Sequence, residues 1–513
     1  MTETEGGKPM LRLVLVVLLA AIPAAAQTLR VGQIGQQSGT LDPHRATATH
    51  DKGPVSWMFD GLVRFPPGSA DPARLEPDLA ERWERSGDGL VWTFTLREGV
   101  QFHHGMGTLT AEDVAFSLRR AASSESSAFA GDYRDLSAVE VVDPRTVRVV
   151  FRQPVPSALG LLANYHGGMI VSRRAAEEGD FARRPVGTGP FQFESVEPGG
   201  LRLTAHQQHF RGTPKLAAVQ VRFIPSDQTR ELAYTAGELD LFIGRREQRW
   251  VERIKQLPNT VVEVFGPGEF RTLLLNTKSA PLDDVRVRRA VIHAIDVPAI
   301  VRFVGADVAQ LWPSPVPPGY LGATTDVPRY PHDVARARAL LAEAGHPQGV
   351  TLKAVVSSVS TQLPIMEVIQ AQLRRAGITL EMDVVEHATY HARIRQDLSQ
   401  VTFYGAARFP VADTYLTQFY HSRSAPGTPT MALNFAHCSV ADAEIDAARS
   451  EPDPARQAAL WAEAQRKVME AACSLPLYDL RQVWVRSSRL ALGYALEGSL
   501  NLAPPLTAET ALR

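Results

Sequence analysis

Between Trp92 and Leu96 the side chains alternate, with Trp92, Phe94 and Leu96 separated by Thr93 and Thr95. A period of two predicts a half-buried strand, entered here from the turn residues Gly87-Asp88-Gly89. Residues 139–142, the turn pair Asp143-Pro144 and residues 146–151 predict a hairpin or two adjacent strands. Helices are marked by their ends. Thr110 stands three residues before Asp113, the spacing of a capping box in which hydroxyl and carboxylate satisfy orphan backbone N–H groups, so residues 114–120 are expected to be helical. Asp283-Asp284 precedes residues 285–295, where Val287, Ala290, Val291 and Ala294 fall on one face while Arg286 and Arg289 lie off it. Residues 331–344 predict another helix, stopped by Gly345 and Pro347. Strand 350–356, helix 362–376, a left-handed cap at Gly377 and strand 378–384 form a strand–helix–strand unit, which favours a parallel pair in a helix-covered sheet. The class is α/β, with further antiparallel strands before residue 160.

Composition bounds what such a chain can be. At 513 residues, 44% hydrophobic and 21% charged, it exceeds one ordinary core, so two or three packed lobes are expected. A formal net charge of -1 lacks the basic excess of a nucleic-acid partner; the runs Arg245-Arg246 and 286–289 read as solvated helix faces. The first 26 residues differ from the rest. Lys8 and Arg12 precede an apolar run at 13–22, and Ala24-Ala25-Ala26 provides a small-residue cleavage pattern before Gln27. This predicts a cleavable signal peptide, since the run is shorter than the roughly 20 residues needed to span a bilayer. No Cys stands at the cleavage site, so a free periplasmic protein is expected. The two cysteines, Cys438 and Cys473, flank a predicted helical hairpin whose packing would bring them together. A disulfide and a pair of buried thiols both remain open.

Motifs that carry chemistry are missing. The chain has no G-x-S-x-G elbow, no G-x-x-x-x-G-K-[ST] loop, no H-E-x-x-H and no C-x-x-C. His103-His104 is the strongest metal candidate, but neighbours on a strand point to opposite faces, and nothing places His166 beside them; ordinary turn or surface histidines are the expectation. Gly187-Thr188-Gly189-Pro190 is too short for a phosphate loop, and Pro190 lacks an N–H; a sharp connection between lobes is the expected role. No catalytic residue, cofactor or metal site is predicted, and the chain is not expected to be an enzyme.

Several stretches, taken in order, carry a resemblance. They are Leu41-Asp42-Pro43-His44, Leu79-Ala80-Glu81-Arg82-Trp83, residues 92–100, Phe102-His103-His104-Gly105, and Thr110-Ala111-Glu112-Asp113-Val114. Residues 186–191, 284–290 and 294–296 and Leu340-Leu341-Ala342-Glu343-Ala344-Gly345 complete the set. Together they resemble the peptide/nickel-type periplasmic solute-binding proteins of ABC importers. The resemblance implies a two-lobed binding-protein fold with a hinge and an extra α+β domain. By analogy, residues 27–64, 186–270 and 483–513 form the first lobe, 65–185 the extra domain on it, and 271–482 the second lobe. It also implies that a monomer encloses a small solute by closing its lobes and hands it to an inner-membrane ABC permease. Nickel or haem complexes as cargo, or a sensing role at a membrane receptor, are the alternatives.

One departure from the family bears on the ligand. Peptide-binding relatives hold the ligand's free amino terminus with a carboxylate just before the segment matching Ala412-Asp413-Thr414-Tyr415-Leu416. Arg408 occupies that place here. A guanidinium favours a carboxylate, phosphate or carbonyl-rich group over an ammonium, so the expected ligand is peptide-like or an anionic organic compound not held by an N-terminus. Alternatively, the register is shifted by a few residues, Asp413 or another acid takes the role, and Arg408 pairs structurally. Tyr404, Phe409 and Tyr415 flank the segment, as cleft aromatics or as core rings. The family pattern places Trp57 and Arg271 near the cleft.

Overall fold

The computed structural model describes Thr2 and residues 27–513 apart from positions 156, 166, 360 and 429–432. The predicted signal peptide and His166 therefore lie outside the described residues. The backbone is mixed α/β around a nine-stranded sheet. Its order runs Phe191–Glu197, Gly200–Ala205, Ala218–Phe223, Thr28–Gln33, Leu241–Ile243, Ser474–Ser487, Thr260–Leu275 and Val401–Ala406, with Ala309–Leu311 added beside Ser474–Ser487. Thr28–Gln33 pairs parallel with both of its neighbours, and the other ladders are antiparallel.

Two long strands carry this sheet across the molecule. Residues 260–265 of the first pair with 482–487 of the second, the ladder slips at Gly266-Pro267-Gly268, and 269–274 then pair with 474–480. The slip needs glycine, because a Cβ on Gly268 would sit 2.0 Å from the Leu480 carbonyl oxygen. On either side of it the apolar faces feed different cores. One cluster draws on residues 29–265 and 484–506, another on residues 273–480.

A separate four-stranded antiparallel sheet is built from Ala80–Arg85, Val91–Leu96, Thr146–Phe151 and Leu136–Asp143. Within Val91–Leu96, Trp92, Phe94 and Leu96 are the buried positions, as the alternation requires. Helix Ala111–Ala121 follows the expected capping box at Thr110 and Asp113. Val350–Ser357 and Ile378–Val385 pair in parallel around helix Leu363–Arg375, with Gly377 at φ +84°. They form their own two-stranded ladder and are not part of a wide helix-covered sheet.

Two local expectations change. His103 is not a surface residue: it is fully buried in a short turn, its Nε2 2.9 Å from the Gly189 carbonyl and its Nδ1 accepting from the Gly187 N–H. Gly187 and Gly189 in turn press on the backbone at Met58, where added Cβ atoms would come within 2.2 and 2.5 Å. The helix at 285–293 buries Arg288 as well as its apolar face, because that guanidinium caps the carbonyls of Leu282 and Ala471. Cys438 and Cys473 are joined as a disulfide, with Cα atoms 5.9 Å apart. No described helix is long and apolar enough to cross a membrane.

Candidate functional site

The slip at 266–268 turns the strand that follows so that Glu269 and Arg271 share a face, alternating with the apolar Phe270. Arg271 stands opposite Gly405 on one neighbouring strand and Tyr478 on the other. Gly405 makes room for it, since a Cβ there would lie 2.3 Å from Arg271 Nη1. The guanidinium donates through Nη2 to Glu269, leaving Nε without a partner among the described residues. Arg246, on the loop after Leu241–Ile243, reaches the same carboxylate at 2.9 Å. Burial pushes the Glu269 carboxyl up, but Arg246 and Arg271, with help from Lys52, outweigh it and hold the group at about 2.

Lys52 belongs to helix Thr49–Met58 and is itself buried, with Nζ donating to the Tyr165 hydroxyl at 3.0 Å. Next to it on the helix, Gly53 lies against Gln33, where a Cβ would be 3.1 Å from Nε2. Gln33 is buried with neither amide atom partnered among the described residues, and Gln482 Nε2 is in the same state. Asp479 accepts from the Gly268 N–H at 3.4 Å. Burial raises its carboxyl to about 6, against the backbone bond and the pull of Arg481. The result is three cations, Lys52, Arg246 and Arg271, around one firmly ionised carboxylate, with amide and guanidinium groups left unsatisfied. Buried polar groups without partners are costly unless something else supplies the bond. Such a site suits a polar solute with negative charge.

The residues singled out from the sequence do not all meet here. Arg271 lies at the centre. Tyr404 is buried one position along the neighbouring strand, its ring 5.4 Å from Phe435 and 5.8 Å from Phe419. Tyr415 is fully buried, with its hydroxyl donating to Ala406 and its ring against Tyr320. Phe409 packs on Phe65 and fills the space over Gly160. Trp57 is fully buried, and its indole N–H donates to the Pro504 carbonyl at 3.1 Å. Arg408 is half-buried, donating to Gln418 Oε1 at 2.8 Å and to its neighbour's carbonyl at 2.9 Å. Gln418 continues to Asp132 at 3.3 Å. Asp413, the alternative acid, is 3.3 Å from Arg449, which also bridges to Asp135. Lys52, Arg246, Glu269, Gln33, Gln482 and Asp479 were missed. The one sequence signal was the Glu-x-Arg alternation just before the apolar end of that strand.

Comparison with known proteins places the chain. Residues 74–427 match the model described as bacterial extracellular solute-binding proteins, family 5. The solved structure of the binding protein MoaA from A. tumefaciens R10, in complex with mannopinic acid, is 45% identical. It superposes with a TM-score of 0.86 over 95% of this chain and 100% of its own. The binding protein DppA from Helicobacter pylori, in complex with the peptide STSA, is 27% identical with a TM-score of 0.80, covering 94% and 98% of the two chains. Glutathione-binding protein GsiB from Salmonella typhi is 28% identical over 506 residues, 96% of each chain. The fold is that of the two-lobed periplasmic binding proteins. The chain belongs to the family 5 bacterial extracellular solute-binding proteins, which capture small solutes for ABC importers.

Proposed function

We propose that this protein collects a small organic anion, of the kind mannopinic acid exemplifies, and delivers it to an inner-membrane permease. The observation that carries this reading is the group of Lys52, Arg246 and Arg271 around Glu269, with Arg271 Nε, Gln33 and Gln482 unpartnered among the described residues. A carboxylate entering there would answer the cationic excess and accept from the guanidinium in charge-assisted bonds. The 45% identity to a protein solved with mannopinic acid supports the same chemistry.

The slip at Gly266-Pro267-Gly268 is the proposed hinge. There the two long strands pass from residues 27–64, 186–270 and 483–513, the proposed first lobe, to 271–482, the proposed second. Residues 65–185 would ride on the first. A ligand gripped by Lys52 and Arg246 on one side and Arg271 on the other would favour the closed form. Arg408 is a second anion contact in this reading, and Arg408→Asp should then turn the preference toward cations; unchanged affinity would assign it to its Gln418 bond alone. Export through the segment 1–26, a monomeric state and a disulfide suited to an oxidising compartment complete the proposal.

The test is calorimetric titration with mannopinic acid, reduced glutathione and a neutral tripeptide with a free amino terminus. Binding of the acids and not of the tripeptide is expected. Preference for the tripeptide would overturn the anion reading and leave a peptide importer.

A further inference from the structure

Helix His387–Arg395 follows the strand Ile378–Val385 and packs through Tyr390 and Ile394, both buried. The Tyr390 hydroxyl donates to the Phe403 carbonyl at 2.5 Å, which fixes the helix against its neighbouring strand. His387 and His391 lie along one edge of this buried stripe, one helical turn apart, and each is partly exposed. Two histidines at this spacing share a helix face and can share an ion.

Their geometry is that of a chelate. The two Nε2 atoms are 3.3 Å apart while the ring centres are 4.6 Å apart, so the Nε2 edges turn toward each other. Two metal–imidazole bonds of about 2.0–2.1 Å, opened to a tetrahedral angle, span about 3.3 Å. As a hydrogen bond the same contact is long, beyond the range of about 2.7–3.2 Å usual for N–H donors. The far side of each ring is compatible with ligation. His387 Nδ1 lies 2.8 Å from the hydroxyl of Ser357, at the buried end of strand Val350–Ser357. With Nδ1–H donated to that oxygen, Nε2 keeps its lone pair, the arrangement that orients metal-bound histidines. His391 Nδ1 is buried without a partner among the described residues, so ligation through Nε2 costs it no hydrogen bond. Burial first, then His387, pushes the His391 imidazole down to about 4, which leaves it neutral. The carboxylates of the same segment are committed: Glu386 accepts from the Ala388 and Thr389 N–H groups, and Asp383 pairs with Arg393. Among the described residues no set of three His, Cys, Asp or Glu is placed to hold a metal, so the protein supplies two ligands here and water the rest.

We infer that His387 and His391 form a two-point chelate for a divalent zinc-type ion, with Ser357 as the positioning residue behind His387. Imidazole suits zinc, copper and nickel alike. The span selects a tetrahedral ion, because adjacent ligands of a square-planar one would lie only about 2.9 Å apart. Ser357, His387 and His391 are none of the groups around Glu269, so this inference does not rest on the anion proposal.

The probe is zinc chloride, titrated calorimetrically into the full protein without a histidine tag and soaked into crystals for zinc anomalous scattering. Saturable binding by wild type is expected, lost in His387→Ala and in His391→Ala and weakened about tenfold in Ser357→Ala. It should be unchanged in Arg271→Met and in His332→Ala, whose histidine is exposed elsewhere. The anomalous peak should lie about 2.1 Å from both Nε2 atoms. Should a histidine variant fail to fold, the peak in wild type decides alone. No saturation up to about 1 mM zinc, wild-type binding by the His387 and His391 variants, or a peak only at other side chains would overturn the inference.

Discussion

At the scale of single residues, Arg271 is the proposed binding group that its strand position sets up. Its guanidinium is 3% exposed, flanked by a glycine that leaves it space and a glutamate that takes only one of its nitrogens. A hydrogen bond to a charged group contributes about 1.5–3 kcal/mol, so Arg271→Met should weaken mannopinic acid binding by about ten- to a hundredfold in calorimetry. An unchanged affinity would remove Arg271 from the site. Asp479 makes a pH prediction. Its folded carboxyl is raised to about 6 by burial, so its contribution to stability is fully present below its unfolded value near 4 and is lost as pH rises through about 6. Asp479→Asn should therefore melt a few degrees above wild type at pH 8, and the gap should close at pH 4. A gap independent of pH would mean the carboxylate is not the cause. Arg271 could be reached from the sequence through the family pattern and the Glu-x-Arg alternation at 269–271. Lys52, Gln33 and Gln482 could not, because each becomes a candidate by what surrounds it: segments 449 residues apart in sequence supply Gln33 and Gln482 to one region (482 less 33).

Elements were far more legible than the site. The alternation at 92–96, the capping box at Thr110 and the left-handed glycine at 377 each rest on contacts within a few residues, and each appears where local chemistry puts it. What the local pattern does not encode is which strand lies beside which. The slip at 266–268 depends on a partner more than 200 residues away, and nothing in Gly-Pro-Gly alone distinguishes it from a loop. Gly268→Ala should be destabilising by about 1–3 kcal/mol, because the new methyl meets backbone and not a mobile side chain; chemical denaturation measures it. A loss no larger than that of Gly87→Ala, where a Cβ meets nothing within 4 Å and the backbone is not left-handed, would show that the ladder yields there. The disulfide is also an element-level device. It ties the segment before helix Asp442–Ser450 to the end of helix Pro454–Glu470, closing a loop of 35 residues. Chain entropy predicts about 2–4 kcal/mol of stabilisation, so reduction should lower the melting temperature without abolishing the fold. No shift between reduced and oxidised protein would rule the bond out as a stabilising link.

For the whole molecule, the apolar cores lie on either side of the slip, and the cationic cluster straddles it. If closure about that point is how ligand is held, saturating mannopinic acid should reduce the radius of gyration in solution scattering. Binding seen by calorimetry with an unchanged scattering curve would place the solute where no lobe moves. Residues on both sides of the slip are required for the cluster, which is why a fold recognised from its motifs still left the proposed ligand groups unread. Those motifs mainly mark turns, caps and core positions, and cargo is chosen elsewhere.

The indole of Trp57 rests on the carbonyl of Pro504, 447 residues further along the chain. Thr28–Gln33 likewise waits for residues 218–223 and 241–243, and Trp484, Leu490 and Leu506 complete the same core. A ribosome delivers this chain from one end only. The earliest segments therefore emerge long before their partners exist, and contacts of such separation form slowly. Were the chain exported unfolded through a narrow translocation channel, as proposed, this wiring would give it a built-in delay.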